Sequence, residues 1–154
     1  MIKTQDVIHL EDIFNANKKL VFSLDGSKNN LLHWAAQYSS GVAIKLLLQY
    51  GADPLGKNNE GATPFHKAAN YDKVEIMKLL VQHNHTGINV QDLDLFTPLH
   101  YACLNNCYEM VKFLTEQVNI NVDLRNKKGN KPDAVYTKTR DDIKKLVMIC
   151  RAKQ

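Results

Sequence analysis

Apolar residues in this 154-residue chain gather into short blocks of helical spacing, separated by polar, turn-rich stretches. Ile44, Leu46, Leu47 and Leu48 form one block; Val74, Ile76, Met77, Leu79, Leu80 and Val81 form another. Each is apolar around so much of its circumference that only burial between neighbouring helices accommodates it. The blocks predict helices over 42–49 and Val74–His83, the first preceded by a shorter helix over Leu31–Tyr38. Near the start, Val7, Ile8, Ile13 and Phe14 share one helical face with Leu10 alongside, and Leu20, Val21 and Phe22 follow as a second apolar set. Near the end, Ile143, Leu146, Val147 and Ile149 alternate with Lys144, Lys145 and Arg151, which predicts a helix over Asp141–Arg151 with one solvent face.

The segments between the blocks repeat. Thr97-Pro98-Leu99-His100-Tyr101-Ala102 follows Thr63-Pro64-Phe65-His66-Lys67-Ala68 by 34 residues, and that follows Asn30-Leu31-Leu32-His33-Trp34-Ala35 by 33. Self-similarity at such a period marks stacked repeats. The hexapeptide Thr-Pro-Leu-His-x-Ala at this period resembles the ankyrin repeat, strongly over 25–125 and weakly at both ends. The resemblance implies an all-α fold, an ankyrin-repeat solenoid of stacked helix-turn-helix units with hairpin-like loops. It divides the chain into an N-terminal capping unit (5–24), three repeats (25–57, 58–91 and 92–125) and a C-terminal capping repeat (126–152). Gly51-Ala52-Asp53 matches the family's Gly-Ala-Asp, its glycine supplying a left-handed position after the helix.

Departures from the pattern raise specific expectations. Asn30-Leu31 replaces Thr-Pro, and Lys28 and Leu95 stand where Gly61 stands in the second repeat. A bulky residue resists a positive φ, so the hairpin at Leu95 either turns differently or is kept at a stability cost. The loop 84–88 is one residue longer than its counterpart, so Gly87 is expected to be displaced from its usual role. Asp133 and Ala134 replace Leu and His after Pro132, as in a closing cap.

Composition changes this picture little. Hydrophobic residues make up 44% and charged residues 23%, which excludes a disordered chain. No apolar run reaches the roughly 20 residues of a membrane span, and Met1 to Leu10 lacks the apolar core of a secretory signal. Cys103, Cys107 and Cys150 are too few for a disulfide framework, which suits a reducing, cytoplasmic or nuclear setting, with secretion as an effector a further possibility. The net charge of +4 is uneven: residues 125–154 hold ten Lys or Arg against three Asp, and residues 1–124 hold ten against thirteen Asp or Glu.

The candidate chemistry is that of a scaffold. His33, His66 and His100 lie one repeat apart, and the resemblance implies that each bonds the neighbouring hairpin and its own threonine. Cys103, Cys107, His83 and His85 supply a zinc-competent set of ligand types, but their spacing matches no zinc module and Cys103 falls in a small buried slot. No phosphate loop, nucleophile elbow or His-Glu-x-x-His occurs. The expectation is therefore a monomeric non-enzyme with no catalytic residue, no metal, no cofactor and no small-molecule substrate.

Binding is assigned to positions that the repeat leaves free on the concave face of first helices and hairpin tips: Trp34, Tyr38, Lys67, Asn70, Tyr71, Asp94, Phe96, Tyr101 and Leu104. Their aromatic content suits a partner protein. Two alternatives are carried. One is an acidic surface, nucleic acid or phospholipid, on Lys127, Lys128, Lys131, Arg140, Lys144, Lys145 and Arg151. The other is a pathogen or viral mimic of the inhibitor of NF-κB, which the fifteen asparagines suit and the positive charge does not.

Overall fold

The computed structural model describes residues 4–38, 41–136 and 138–154, with side chains described from residue 9 onward. Among the described residues there are eight α-helices and no strand. They are α1 (Thr4–Ala16), α2 (Leu31–Tyr38), α3 (Gly41–Gln49), α4 (Pro64–Asn70), α5 (Val74–His83), α6 (Pro98–Leu104), α7 (Tyr108–Thr115) and α8 (Asp141–Arg151). First helices α2, α4 and α6 stack in one row, second helices α3, α5 and α7 in another. A 3-10 turn, Pro132–Ala134, follows α6 in the first row, and α8 follows α7 in the second.

Helices this short are marginal in water alone, so each is fixed at its start and buried along its length. Thr63 and Thr97 occupy the N-cap positions of α4 and α6, with Pro64 and Pro98 next, where the missing N–H costs no helical bond. His66 and His100 close a reciprocal capping box with those threonines. Ala68 and Ala102 are fully buried, small enough to let adjacent first helices approach closely. Phe65, Met77, Leu80, Leu99, Met110 and Leu114 complete a core that runs unbroken through the stack.

The hairpins follow one design four times. Asp25, Asn58, Asp92 and Asn126 each accept two backbone N–H bonds through Oδ1, from the residues two and four positions on, at 2.8–3.0 Å. Successive hairpins are then tied by a backbone ladder: Asn59 N–H to Ser27 O, Leu93 N–H to Glu60 O, and Lys127 N–H to Asp94 O. Each turn needs one left-handed residue, found at Lys28 (φ 60°), Gly61 (72°), Leu95 (60°) and Gly129 (79°). The hairpin at Leu95 therefore keeps its shape and accepts the strained residue. Its side chain is 40% exposed, so little packing offsets that strain. Leu95→Gly is expected to raise stability by about 1 kcal/mol, read as an increased urea midpoint; a lowered midpoint would show that Leu95 packs usefully.

Several expectations need correction. Gly87 is displaced, as expected, from the left-handed position after the helix that Gly51 holds, but it is not idle: it is buried in a 3-10 turn, His85–Asn89, directly against the Phe65 ring. Ile149 is 54% exposed, and Cys150 takes its place in the core beside Ile143 and Val147. At the N-terminus Phe14 is buried but Ile13 is 37% exposed, and Leu20-Val21-Phe22 forms a 3-10 turn of which only Val21 is buried. The placement of Val7 and Ile8 lies outside the described side chains.

Candidate functional site

Each signature histidine is bonded at both ring nitrogens. His66 Nε2 lies 3.0 Å from the Phe96 carbonyl, one hairpin further on, and His100 Nε2 lies 3.1 Å from that of Asn130. A carbonyl only accepts, so Nε2 carries the proton in both. Nδ1 is then an acceptor, serving the Thr63 or Thr97 backbone N–H at 3.0–3.1 Å and the same residue's hydroxyl at 2.8–2.9 Å. His33 repeats the bond to the next hairpin, 2.9 Å from Ala62 O, but Asn30 Oδ1 stands 2.7 Å from its Nδ1 where the threonine hydroxyl would be. Burial pushes all three imidazoles below their usual pKa, His66 to about 4. These groups clamp neighbouring repeats together and point away from solvent.

Cys103 is fully buried in the small slot of α6, whereas His83, the last residue of α5, and His85, just beyond it, are exposed. Burial raises both thiols, Cys107 to about 11, which keeps them protonated and poor as ligands or nucleophiles. Among the described residues no three His, Cys, Asp or Glu side chains converge on one point.

The positions assigned to binding divide into two groups. Tyr38 (70% exposed), Trp34 (44%) and Tyr71 (43%) reach solvent, as does Asp94. Lys67, Asn70 and Leu104 are half-buried. Phe96 and Tyr101, expected to face solvent, are also half-buried: the Tyr101 hydroxyl donates to Asp92 Oδ2 at 2.7 Å, and the Phe96 ring centroid lies 5.3 Å from that of Tyr101. Trp34 makes the equivalent bond, Nε1–H to Asp25 Oδ2 at 3.0 Å. Residues after the signature histidine thus brace their own hairpin through the second oxygen of its opening aspartate. In the second repeat that residue is Asn58, and Lys67 turns instead to Glu60, 3.8 Å away. Sequence reasoning missed this Asx column, although its signal, an Asp or Asn every 33 or 34 residues, was present.

The basic C-terminal unit is largely paired within itself. Lys131 and Arg151 converge on Asp123 at 2.6 and 2.7 Å, and Arg151 also reaches Asp133 at 3.0 Å. Lys127 pairs with Asp94, Arg140 with Asp142 and Lys144 with Asp141. Five of the seven cations assigned to an acidic surface already meet a carboxylate of the chain, which reduces what they offer to phosphates. Among the described residues no helix is long and apolar enough to cross a membrane.

Two rows of short antiparallel helices, joined by projecting hairpins that hydrogen-bond in series, define a helical repeat solenoid. A model of ankyrin repeats, in three copies, matches residues 32–126, and the chain belongs to that family. Among its relatives is an ankyrin repeat protein of fowlpox virus (strain NVSL), 34% identical over 77% of this chain and 34% of that protein. A variola virus ankyrin repeat protein is 35% identical over 58% of this chain and 16% of its own length. The neurogenic locus Notch protein of Drosophila melanogaster is 31% identical over 60% of this chain and 3% of its own. The chain therefore spans about a third or less of these relatives.

Proposed function

We propose that this chain is a non-catalytic interaction module, a scaffold or adaptor of the cytoplasm or nucleus, that binds a partner protein through its first helices and hairpin tips. The observation that carries the reading is how the first helices use their side chains. The signature threonines, histidines and alanines turn inward and are satisfied there, while Lys67, Asn70, Tyr71 and Asp94 line the opposite side outside the core. A tyrosine flanked by a lysine, an amide and a carboxylate is the kind of mixed apolar and polar surface that makes a binding centre. Family membership supports the same reading, since ankyrin repeats are in general protein-interaction modules.

Site-specific photo-crosslinking in native lysate tests it. A benzophenone amino acid at position 71 is expected to trap a discrete partner band. The same group at Gln82, in the groove between α3 and α5 on the other row, is expected to trap none. A band from position 82 alone would move the site to the second helices.

A further inference from the structure

A column of side chains ties successive hairpins together, and its first position is broken. Leu24, Lys57, Gln91 and Arg125 follow one another at intervals of 33, 34 and 34 residues, each immediately before the Asp or Asn that opens its hairpin. The Lys57 ammonium donates to the Gln91 carbonyl at 3.1 Å, and the Gln91 carboxamide donates to the Arg125 carbonyl at 3.0 Å. Each side chain thus reaches one repeat onward and binds the backbone of its own successor. Leu24 has no donor to offer. The Lys57 carbonyl, its successor in the column, accepts no hydrogen bond from the chain among the described residues.

Where that bridge is missing there is an open groove of about 250 Å³. Val21, Phe22 and Leu24 line it from the segment before the first hairpin, Lys28 and Asn30 from the hairpin itself, and Asp53 and Lys57 from the loop after α3. Phe22 and Leu24 are each 59% exposed. The charged groups are two ammoniums, Lys28 and Lys57, against one carboxylate, Asp53, whose Oδ1 already accepts the Leu55 N–H at 2.8 Å. The groove therefore combines an exposed apolar pair, an unused backbone acceptor and a slight excess of positive charge.

We infer that this groove is a second interaction site, which receives a short segment of a partner protein that supplies the missing bridge. The segment carries a carboxamide side chain, Gln or Asn, that donates to the Lys57 carbonyl, beside an apolar side chain that rests on Phe22 and Leu24. The chain itself gives the template, since Gln91 makes this bond with a carboxamide at the matching position of the column. A carboxamide suits the groove better than an ammonium, because Lys28 and Lys57 repel a further cation and the amide oxygen can accept from a lysine N–H. The hydrogen bond sets the segment's register, and burial of Phe22 and Leu24 supplies the affinity. This groove shares no residue with the surface of Lys67, Asn70, Tyr71 and Asp94, and the failure of either site leaves the other standing.

Leu24→Gln places the missing donor in the chain itself, and so tests the groove without weakening the fold. Its urea midpoint is expected to equal or exceed that of the wild type. A library of random short peptides is selected on the whole chain, with Leu24→Gln as the counter-selection, and the enriched peptides are titrated by fluorescence anisotropy. The expected peptides place Gln or Asn beside an apolar residue. They should bind at least tenfold more weakly to Leu24→Gln and to Phe22→Ser, and as tightly to Tyr71→Ala as to the wild type. No enrichment over the counter-selection, enriched peptides without a carboxamide, or affinity that follows Tyr71 instead of Leu24 would overturn the proposal. A lowered midpoint in Leu24→Gln would also overturn it, since the leucine would then be packed and the bridge not missing. So would a peptide-free dimer that Leu24→Gln abolishes, which would assign the groove to a second copy of the chain.

Discussion

Gly87→Ala is expected to lower stability by about 3 kcal/mol, the upper end of what overpacking usually costs. A Cβ at position 87 would lie 2.2 Å from Phe65 Cε2 and 2.3 Å from Cζ. Nothing gives way easily, since Phe65 is 0% exposed and sits at the start of α4 among the core side chains of the second repeat. Gly26→Ala is the control: a Cβ there meets nothing within 4 Å, so its effect should stay within about 0.5 kcal/mol. Urea unfolding of the two variants separates them. Equal midpoints would mean that the 3-10 turn carrying Gly87 moves off the ring at little cost.

The second large effect is a loss of stability in mild acid. Folded His66 titrates near 4, against a usual value of 6.5, because burial disfavours the imidazolium. A second proton would have to sit on Nδ1, which faces the Thr63 backbone N–H at 3.0 Å. The unfolded chain therefore takes up the proton first as pH falls. Stability is fully present above about pH 6.5, declines below it, and this contribution is exhausted near pH 4, where the folded histidine also protonates. At about 1.4 kcal/mol per pKa unit, His66 alone accounts for about 3 kcal/mol, and His100 acts in the same direction. His33 is also depressed by burial, and its Nδ1 likewise faces a backbone N–H, that of Asn30 at 3.1 Å, so it acts in the same direction. Urea midpoints at pH 7.5, 6.0 and 5.0 should fall steadily. A flat series would remove the histidine clamps from the account of stability.

The sequence carried the architecture well because its signals are local and recur. Helices expected over Leu31–Tyr38, Val74–His83 and Asp141–Arg151 stand at those bounds, since each runs from a capping or turn residue through an apolar block to a polar break. The histidine bonds were legible for the same reason, a fixed offset from threonine. What escaped was whatever depends on a neighbour far along the chain. Gly87 read as an inserted loop residue because nothing near it in sequence reveals the Phe65 ring. Phe96 and Tyr101 read as open aromatics because their partners, Asp92, His100 and His66 of the preceding repeat, come beside them only once the hairpin folds back. Leu95 and Lys28 show a third limit: the ladder between hairpins holds a left-handed turn even where the residue resists it.

The candidate binding face was legible only as a register, the positions left over when the repeat framework is subtracted. Exposure then sorts those positions, leaving Tyr71 and Asp94 on the surface while Tyr101 and Phe96 brace a hairpin. Trp34 and Tyr38 edge an open cavity between α1, α2 and α3.

The most direct measurement is the affinity of the crosslinked partner, once identified, for three proteins by calorimetry. They are the wild type, Asn70→Ala/Tyr71→Ala/Asp94→Ala, and Gln82→Ala/His83→Ala on the other row, each with a thermal melt. At least a tenfold loss is expected for the first variant, equivalent to about 1.4 kcal/mol, with no change in the second and no drop in melting temperature that explains it. Equal affinities for the wild type and the first variant, or a loss confined to the second, would contradict binding through the first helices and hairpin tips.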